Sequence, residues 1–294
     1  MFEGEFPEFI DTRPLRYWLD DGLNWVVREW SYGFESAAYP LRVMLNTIED
    51  VLLATPWWLI ILALSWLAYG ATRTPLLPIL VAVGLFFAGL MELWEDSMKT
   101  MALMISATVT AILFSIPLGI VMARSQIVLR VVTPILDLMQ TMPSFVYLIP
   151  VVMIFGPGNV PALIATIVYA APPLVRLTNL GIRHVDSGVL EASQAFGASP
   201  RQRLLGVQIP LALPTILAGI NQTTMMALSM VVIASMIGAG GLGYQVQQGI
   251  GRLEVSRGVF AGLGIVVLAI IFDRITQAYG KQLQEQIGLA GGRS

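Results

Sequence analysis

"GVLEASQAFGASPRQRLLGVQIPLALP" (188–214) is the stretch on which the reading of this chain turns. It is polar, helix-forming and interrupted by Gly197 and Pro200, yet apolar sequence flanks it on both sides. Asp186 or Ser187 can cap a helix start, and Glu191 falls in the first turn, where the helix dipole favours an anion. Ala192, Ala195, Phe196 and Ser199 share a face that is small except for the aromatic ring. Gly197 supplies a left-handed stop that a residue with a Cβ resists. Directly afterwards "SPRQ" reads as a second start, with Ser199 as N-cap, Pro200 in the first turn and Gln202 at the capping-box position. The sequence thus predicts one short helix ending at Gly197 and another beginning at Ser199, aimed at the apolar run that follows. A helix of about nine residues is not stable alone in water. It docks either on its own bundle or on a partner, and the residues alone leave both open.

The surroundings say what kind of molecule holds this element. Of 294 residues, 56% are hydrophobic and 12% charged, against about 25% charged in a soluble domain; the mean hydropathy is +0.73. Apolar runs near the ~20 residues that cross a bilayer recur at 53–70, 75–94, 100–123, 132–155, 160–178, 208–237 and 257–279. The expected fold class is an all-α polytopic membrane protein with about seven transmembrane helices. Ahead of them, residues 1–50 form a distinct segment. Leu15, Trp18, Leu19, Leu23, Val26, Val27 and Trp30 follow helical spacing, opposite Asp20, Asp21 and Arg28. A second stretch carries Leu41, Met44, Leu45, Ile48, Val51 and Leu52. These amphipathic helices suit a membrane interface. "MFEGEFPEFIDT" (1–12) is acidic and does not read as a signal peptide.

Lys and Arg placement orients the spans. With the N-terminus outside, ten basic residues fall inside (Arg73, Arg124, Arg130, Arg176, Arg183, Arg201, Arg203, Arg274, Lys281, Arg293) and three outside (Lys99, Arg252, Arg257), the N-terminal segment excluded. The segment 179–207 is then cytoplasmic, as is a tail at 281–294.

Other chemistries find little support. A net charge of −2 offers nothing to nucleic acid, and without cysteine there is no disulfide or thiolate site. His184 is the single histidine, so no histidine metal cluster forms. "GAGGLG" (238–243) satisfies a dinucleotide fingerprint but follows an apolar span rather than a βαβ strand; a tight turn on the outer side fits better. No phosphate-binding G-x-x-x-x-G-K-[ST] occurs. "NQT" (221–223) is a glycosylation sequon inside a span.

Within the spans, two polar groups are candidates for a translocation pathway. One is "DLMQTMPSFVY" (137–147), with Gln140, Met142, Pro143, Ser144, Phe145 and Tyr147, where prolines predict a broken helix. Asp137 there either joins the pathway or pairs with Arg130 or Arg124. The second is Asn221, Gln222, Thr224 and Met225 at mid-span, read either as interhelical hydrogen bonding or as an adaptable surface for a small zwitterion.

The loop resembles the EAA motif of binding-protein-dependent ABC importer permeases: E-A-A, three residues, G, nine residues, I-x-L-P. Glu191, Ala192 and Gly197 match, Ser193 stands for the second alanine, and Val207, Ile209 and Pro210 stand for the end. Residues 134–182 and 236–250 extend the likeness, which covers about 50 to 280, to permeases of glycine betaine/proline-type osmoprotectant importers. The resemblance implies a type I ABC importer permease fold and a coupling helix in which Glu191, Ala192, Ser193, Ala195, Phe196, Gly197, Ser199 and Pro200 meet a cytoplasmic ATPase. It also implies two ATPase copies, a second permease copy, an extracytoplasmic binding protein, and a bacterial inner-membrane location. ATP and Mg2+ would then sit in the ATPase, with no cofactor in this chain. Aromatics such as Phe145 and Tyr147 suit a trimethylammonium, held weakly because high affinity belongs to the binding protein. Choline, carnitine and trimethylamine N-oxide stand as alternative cargoes. The rival class is an ATP-independent channel or secondary carrier, which needs no such loop; a membrane enzyme lacks a catalytic cluster.

Overall fold

The computed structural model describes residues 13–291, and every regular element among them is a helix. The two amphipathic stretches form one helix, α1 (Arg13–Ala54), which continues through Pro40. Trp18, Trp25 and Trp30 are exposed, whereas Leu45 is buried, with Leu41, Ile48 and Leu52 packed beside it. Residues 1–12, Arg293 and the side chains of Leu15, Leu19 and Leu23 lie outside the described set. Before Pro56 the chain turns by 109°, as expected where a proline disfavours the helical state of the residue ahead of it.

There follow α2 (Trp57–Thr72), α3 (Leu76–Leu90), α4 (Trp94–Arg124), α5 (Gln126–Thr141), a 3-10 turn (Ser144–Tyr147) and α6 (Leu148–Phe155). Then come α7 (Asn159–Arg183), α8 (Ser187–Ala195), α9 (Pro200–Arg203), α10 (Ile209–Ala234), α11 (Gly241–Gly251) and α12 (Val255–Gly291). A π turn at Leu204–Gln208 joins α9 to α10, so one helical rod of 38 residues runs from Pro200 to Ile237. It therefore starts before the predicted 208–237 span.

All seven predicted runs are helical, but their number as crossings differs. Among the described residues four helices are long and apolar enough to cross alone, or up to six if each bent pair counts as one. At 16 and 15 residues, α2 and α3 reach only about 22–24 Å each. The predicted 132–155 span is bent by 111° between α5 and the Ser144–Phe155 segment. Pro143 causes the break: it donates no backbone hydrogen bond and holds Met142 extended, at φ −69° and ψ 134°. By contrast, Pro172 and Pro173 do not end α7, which runs past the predicted 178 to Arg183. Both are buried, and hydroxyls of Ser115 and Thr223 donate to the carbonyls of Ala171 and Ala170 just ahead of them.

α4, α7 and α10 form the core, and small residues set their spacing. A Cβ on Gly119 would lie 2.8 Å from the Val175 carbonyl and 2.6 Å from Thr178 Cβ; one on Gly219 would meet Leu174 at 2.9 Å. Contacts at the ends define two faces. At one, Arg183 donates to the Met122 carbonyl (3.1 Å) and Arg124 to that of Pro200 (3.4 Å). At the other, Gly158 N–H donates to the Ile237 carbonyl (2.8 Å) and Leu242 N–H to Thr100 Oγ1 (2.9 Å). "GAGGLG" belongs to this second face as a tight turn: Gly238, Gly240 and Gly241 have positive φ, and a Cβ on Gly241 would lie 2.6 Å from Thr100 Oγ1.

Candidate functional site

The polar loop folds by its own local chemistry. Asp186 is the N-cap of α8 and accepts from Val189 N–H at 3.1 Å. Glu191 therefore falls beyond the first turn, a correction to the sequence reading; Asp186 itself brings the negative charge to the helix start. α8 closes as a Schellman motif: Ala198 N–H donates to the Ser193 carbonyl (3.0 Å) and Gly197 N–H to that of Gln194 (2.9 Å), with Gly197 at φ +82°. Two residues on, Ser199 and Gln202 form a reciprocal capping box with Pro200 at its head. Arg203 donates to Gln194 Oε1 at 3.1 Å and clasps the two helices together.

No side chain of α8 is buried. Glu191, Ala192 and Ala195 are exposed, Ser193 is half-buried with its hydroxyl donating to the Leu190 carbonyl (2.7 Å), and Phe196 is 92% exposed. Space beside Gly197 is open, with nothing within 4 Å of a Cβ built there. The corner is thus a rigid, self-capped projection carrying one bare aromatic ring among small residues.

The pathway candidates separate into two groups. Met142 and Tyr147 pack with Met230 and Ile233 of α10. Tyr147 is 7% exposed, donates its hydroxyl to the Met139 carbonyl and meets Tyr169 edge-on at 6.2 Å, so its ring is not open to a cargo. Gln140, Pro143 and Phe145 are exposed and Ser144 half-buried. Asn221, about 13 Å along α10 from Met230, donates to Asp273 Oδ1 of α12 at 3.2 Å, the interhelical bond that was one of its two readings. Thr224 is buried and bonds the Ile220 carbonyl of its own helix. Gln222, with Met225 half-buried beside it, begins an open stripe on α10 that continues at Ser229 and, in the 3-10 turn beyond α10, at Met236.

Asp137 pairs with Arg176 of α7, not with Arg130 or Arg124. Arg130 stands two turns away along α5, about 10 Å, and Arg124 is engaged with Pro200. Asp273 was missed altogether; it also accepts from Gln277 Nε2 at 2.7 Å. Its signal was an acidic residue inside an apolar run, the same that drew attention to Asp137. At the second face Gln245 donates to the Asp96 carboxylate and Arg257 to Gln245 Oε1 (2.7 Å), tying α4, α11 and α12 beside a cavity of about 480 Å3 lined by Met236, Tyr244 and Arg252.

Residues 115–284 match the family described as binding-protein-dependent transport system inner membrane component. The glycine betaine/proline betaine transport system permease protein ProW of Escherichia coli is 47% identical over 268 residues, covering 91% of this chain and 75% of that one. The glycine betaine/carnitine transport permease protein GbuB of Listeria monocytogenes is 42% identical over 283 residues, 94% of this chain and 99% of that one. Among solved structures, an inward-facing MetNI methionine ABC transporter chain superposes with a TM-score of 0.60 over 65% of this chain and 95% of its own, at 21% identity, and so shares the fold. The rod, the bent pair and the extent of these matches lead to one assignment: this chain belongs to the binding-protein-dependent transport system inner membrane components, as a multi-pass ABC-transporter permease.

Proposed function

We propose that this chain forms the membrane pathway for a small quaternary amine, glycine betaine or proline betaine, and that residues 187–200 are the joint with a separate ATPase. The observation that carries the joint is the pre-folded α8–Gly197–α9 corner with Phe196 bare at its tip. A soluble corner that buries nothing of its own, at the foot of a membrane rod, is built to be received by a partner. Two copies of this chain on two ATPases, which hold the ATP and Mg2+, rock between inward- and outward-facing states while a binding protein delivers cargo from outside. The joint lies in the cytoplasm with the C-terminus, and the N-terminus lies outside, in line with the distribution of arginine and lysine. The open stripe Gln222–Ser229–Met236 and the Pro143–Phe145 turn line the route, and Gln140, Met142 and Met225 flank it. Contacts there are weak, so that cargo is released.

The betaine assignment rests on the two permease relatives, whose names share glycine betaine. Carnitine, choline and trimethylamine N-oxide, named for other relatives, are the compounds to compare in uptake.

The test is detergent co-purification with the ATPase, together with betaine uptake, for the wild type and Gly197→Asp. Stoichiometric ATPase with the wild type, and hydrolysis disconnected from uptake in the variant, supports the joint. Unaltered uptake in the variant overturns it. Transport by this chain alone in proteoliposomes restores the channel or carrier.

A further inference from the structure

On the face that carries the joint, the tip of the α2–α3 hairpin and the last turns of α12 enclose a cavity of about 890 Å3. Arg73, Arg274 and Lys281 line it, and among the described residues no acidic side chain does. None of the three is in an ion pair among the described residues. One to two turns deeper along the helices, Leu76, Leu80 and Ile270 line the same cavity, each with an exposed side chain. The site is therefore two-toned: a cationic rim above an apolar wall on helices that enter the membrane.

Its frame is closed by hydrogen bonds. Gln282 Nε2 donates to the Gly70 carbonyl (3.0 Å), Tyr279 Oη to that of Leu67 (3.4 Å), and Thr72 Oγ1 to that of Thr74 (3.3 Å). Arg73 sits at φ +52° at the end of α2, the left-handed position that glycine ordinarily takes, with its N–H on the Tyr69 carbonyl at 2.7 Å. A charged residue in that place puts a guanidinium at the rim.

Two guanidinium groups and an ammonium, with no carboxylate lining the cavity among the described residues, match the oxygens of a phosphodiester. A soluble phosphate would use the rim and leave the apolar wall bare. A lipid uses both. We infer that this cavity binds one anionic phospholipid, its phosphodiester held by Arg73, Arg274 and Lys281 and its acyl chains lying along Leu76, Leu80 and Ile270. The lipid clamps the α2–α3 hairpin to α12, the helix on which that hairpin chiefly packs. Nothing in this site depends on the transported compound.

The full-length chain, purified in a neutral detergent, is offered equimolar phosphatidylglycerol and phosphatidylcholine with the same acyl chains, and retained lipid is counted by native mass spectrometry. The wild type is expected to keep phosphatidylglycerol over phosphatidylcholine by roughly 10- to 100-fold, as three cations near one head group imply. The combined Arg73→Gln, Arg274→Gln, Lys281→Gln variant should bring the two lipids close to parity. Equal retention by the wild type overturns the inference, as does displacement of phosphatidylglycerol by millimolar inorganic phosphate, which marks a soluble-anion site. A full preference surviving in the variant overturns it too. The wild-type selectivity stands whether or not the variant folds.

Discussion

Gly197 and Phe196 show how much two neighbouring residues can fix. The φ of +82° at Gly197 makes any Cβ there cost about 1 kcal/mol or more, whatever room surrounds it. Gly197→Ala should therefore fray the end of α8, seen as faster amide exchange at Ala198, whose N–H closes the Schellman motif. Phe196 is the opposite case. Its ring touches almost nothing in this chain, so Phe196→Ala should leave thermal stability within about 0.5 kcal/mol yet weaken ATPase capture by roughly 30-fold, as loss of an interface anchor of about 2 kcal/mol does. Equal losses in both measurements would return Phe196 to the bundle's own packing. Both residues were readable in advance, because left-handed stops and capping boxes are written in adjacent residues. The position of Glu191 was misread by one residue, because two neighbouring residues competed for the cap and only the hydrogen bond to Val189 decides between them.

At the scale of single helices, what could be read depended on whether the cause was local. The bend at Met142–Pro143 was announced by the proline itself. The persistence of α7 through Pro172 and Pro173 was not, since both prolines are buried among helices far away in sequence. The close approach of α4 to α7 was equally hidden: only in the fold does Gly119 face Thr178. Gly119→Leu should cost about 1–3 kcal/mol or more, as overpacking does, and lower the melting temperature in detergent; a shift no larger than that of an exposed α4 control such as Leu113→Ala would deny the contact its role. Asp137 and Arg176 make a second test between elements. Both side chains are partly exposed, so Asp137→Asn alone should weaken the fold modestly, and adding Arg176→Gln should recover part of the loss by removing the stranded charge.

For the whole molecule, an alternation of faces follows from the apolar runs, and long-range hydrogen bonds group the ends of α4, α7 and α10 on two faces in that order. The pathway was less legible. A polar residue in a span announces itself, but whether it looks toward a neighbouring helix, as Asn221 does, or toward open space, as Gln222 does, is a property of packing. The chain has no cysteine, so single thiols report without background. In the assembled transporter, Gln222→Cys and Ser229→Cys should react with a membrane-impermeant maleimide and be slowed by betaine, whereas Leu113→Cys, exposed on the outside of α4, should stay silent. Silence at all three would move the route elsewhere. Finally, the rod from Pro200 to Ile237 is about 57 Å of continuous helical chain, starting at the proposed joint and ending beside the cavity of Met236 and Tyr244. Its irregular places are the π turn at Leu204–Gln208, Pro210 and Pro214 just beyond it, and a closing 3-10 turn at Ser235–Ile237. If the proposed joint is pushed, a strut of this length carries the displacement to its far end without a relay of small rearrangements between separate helices.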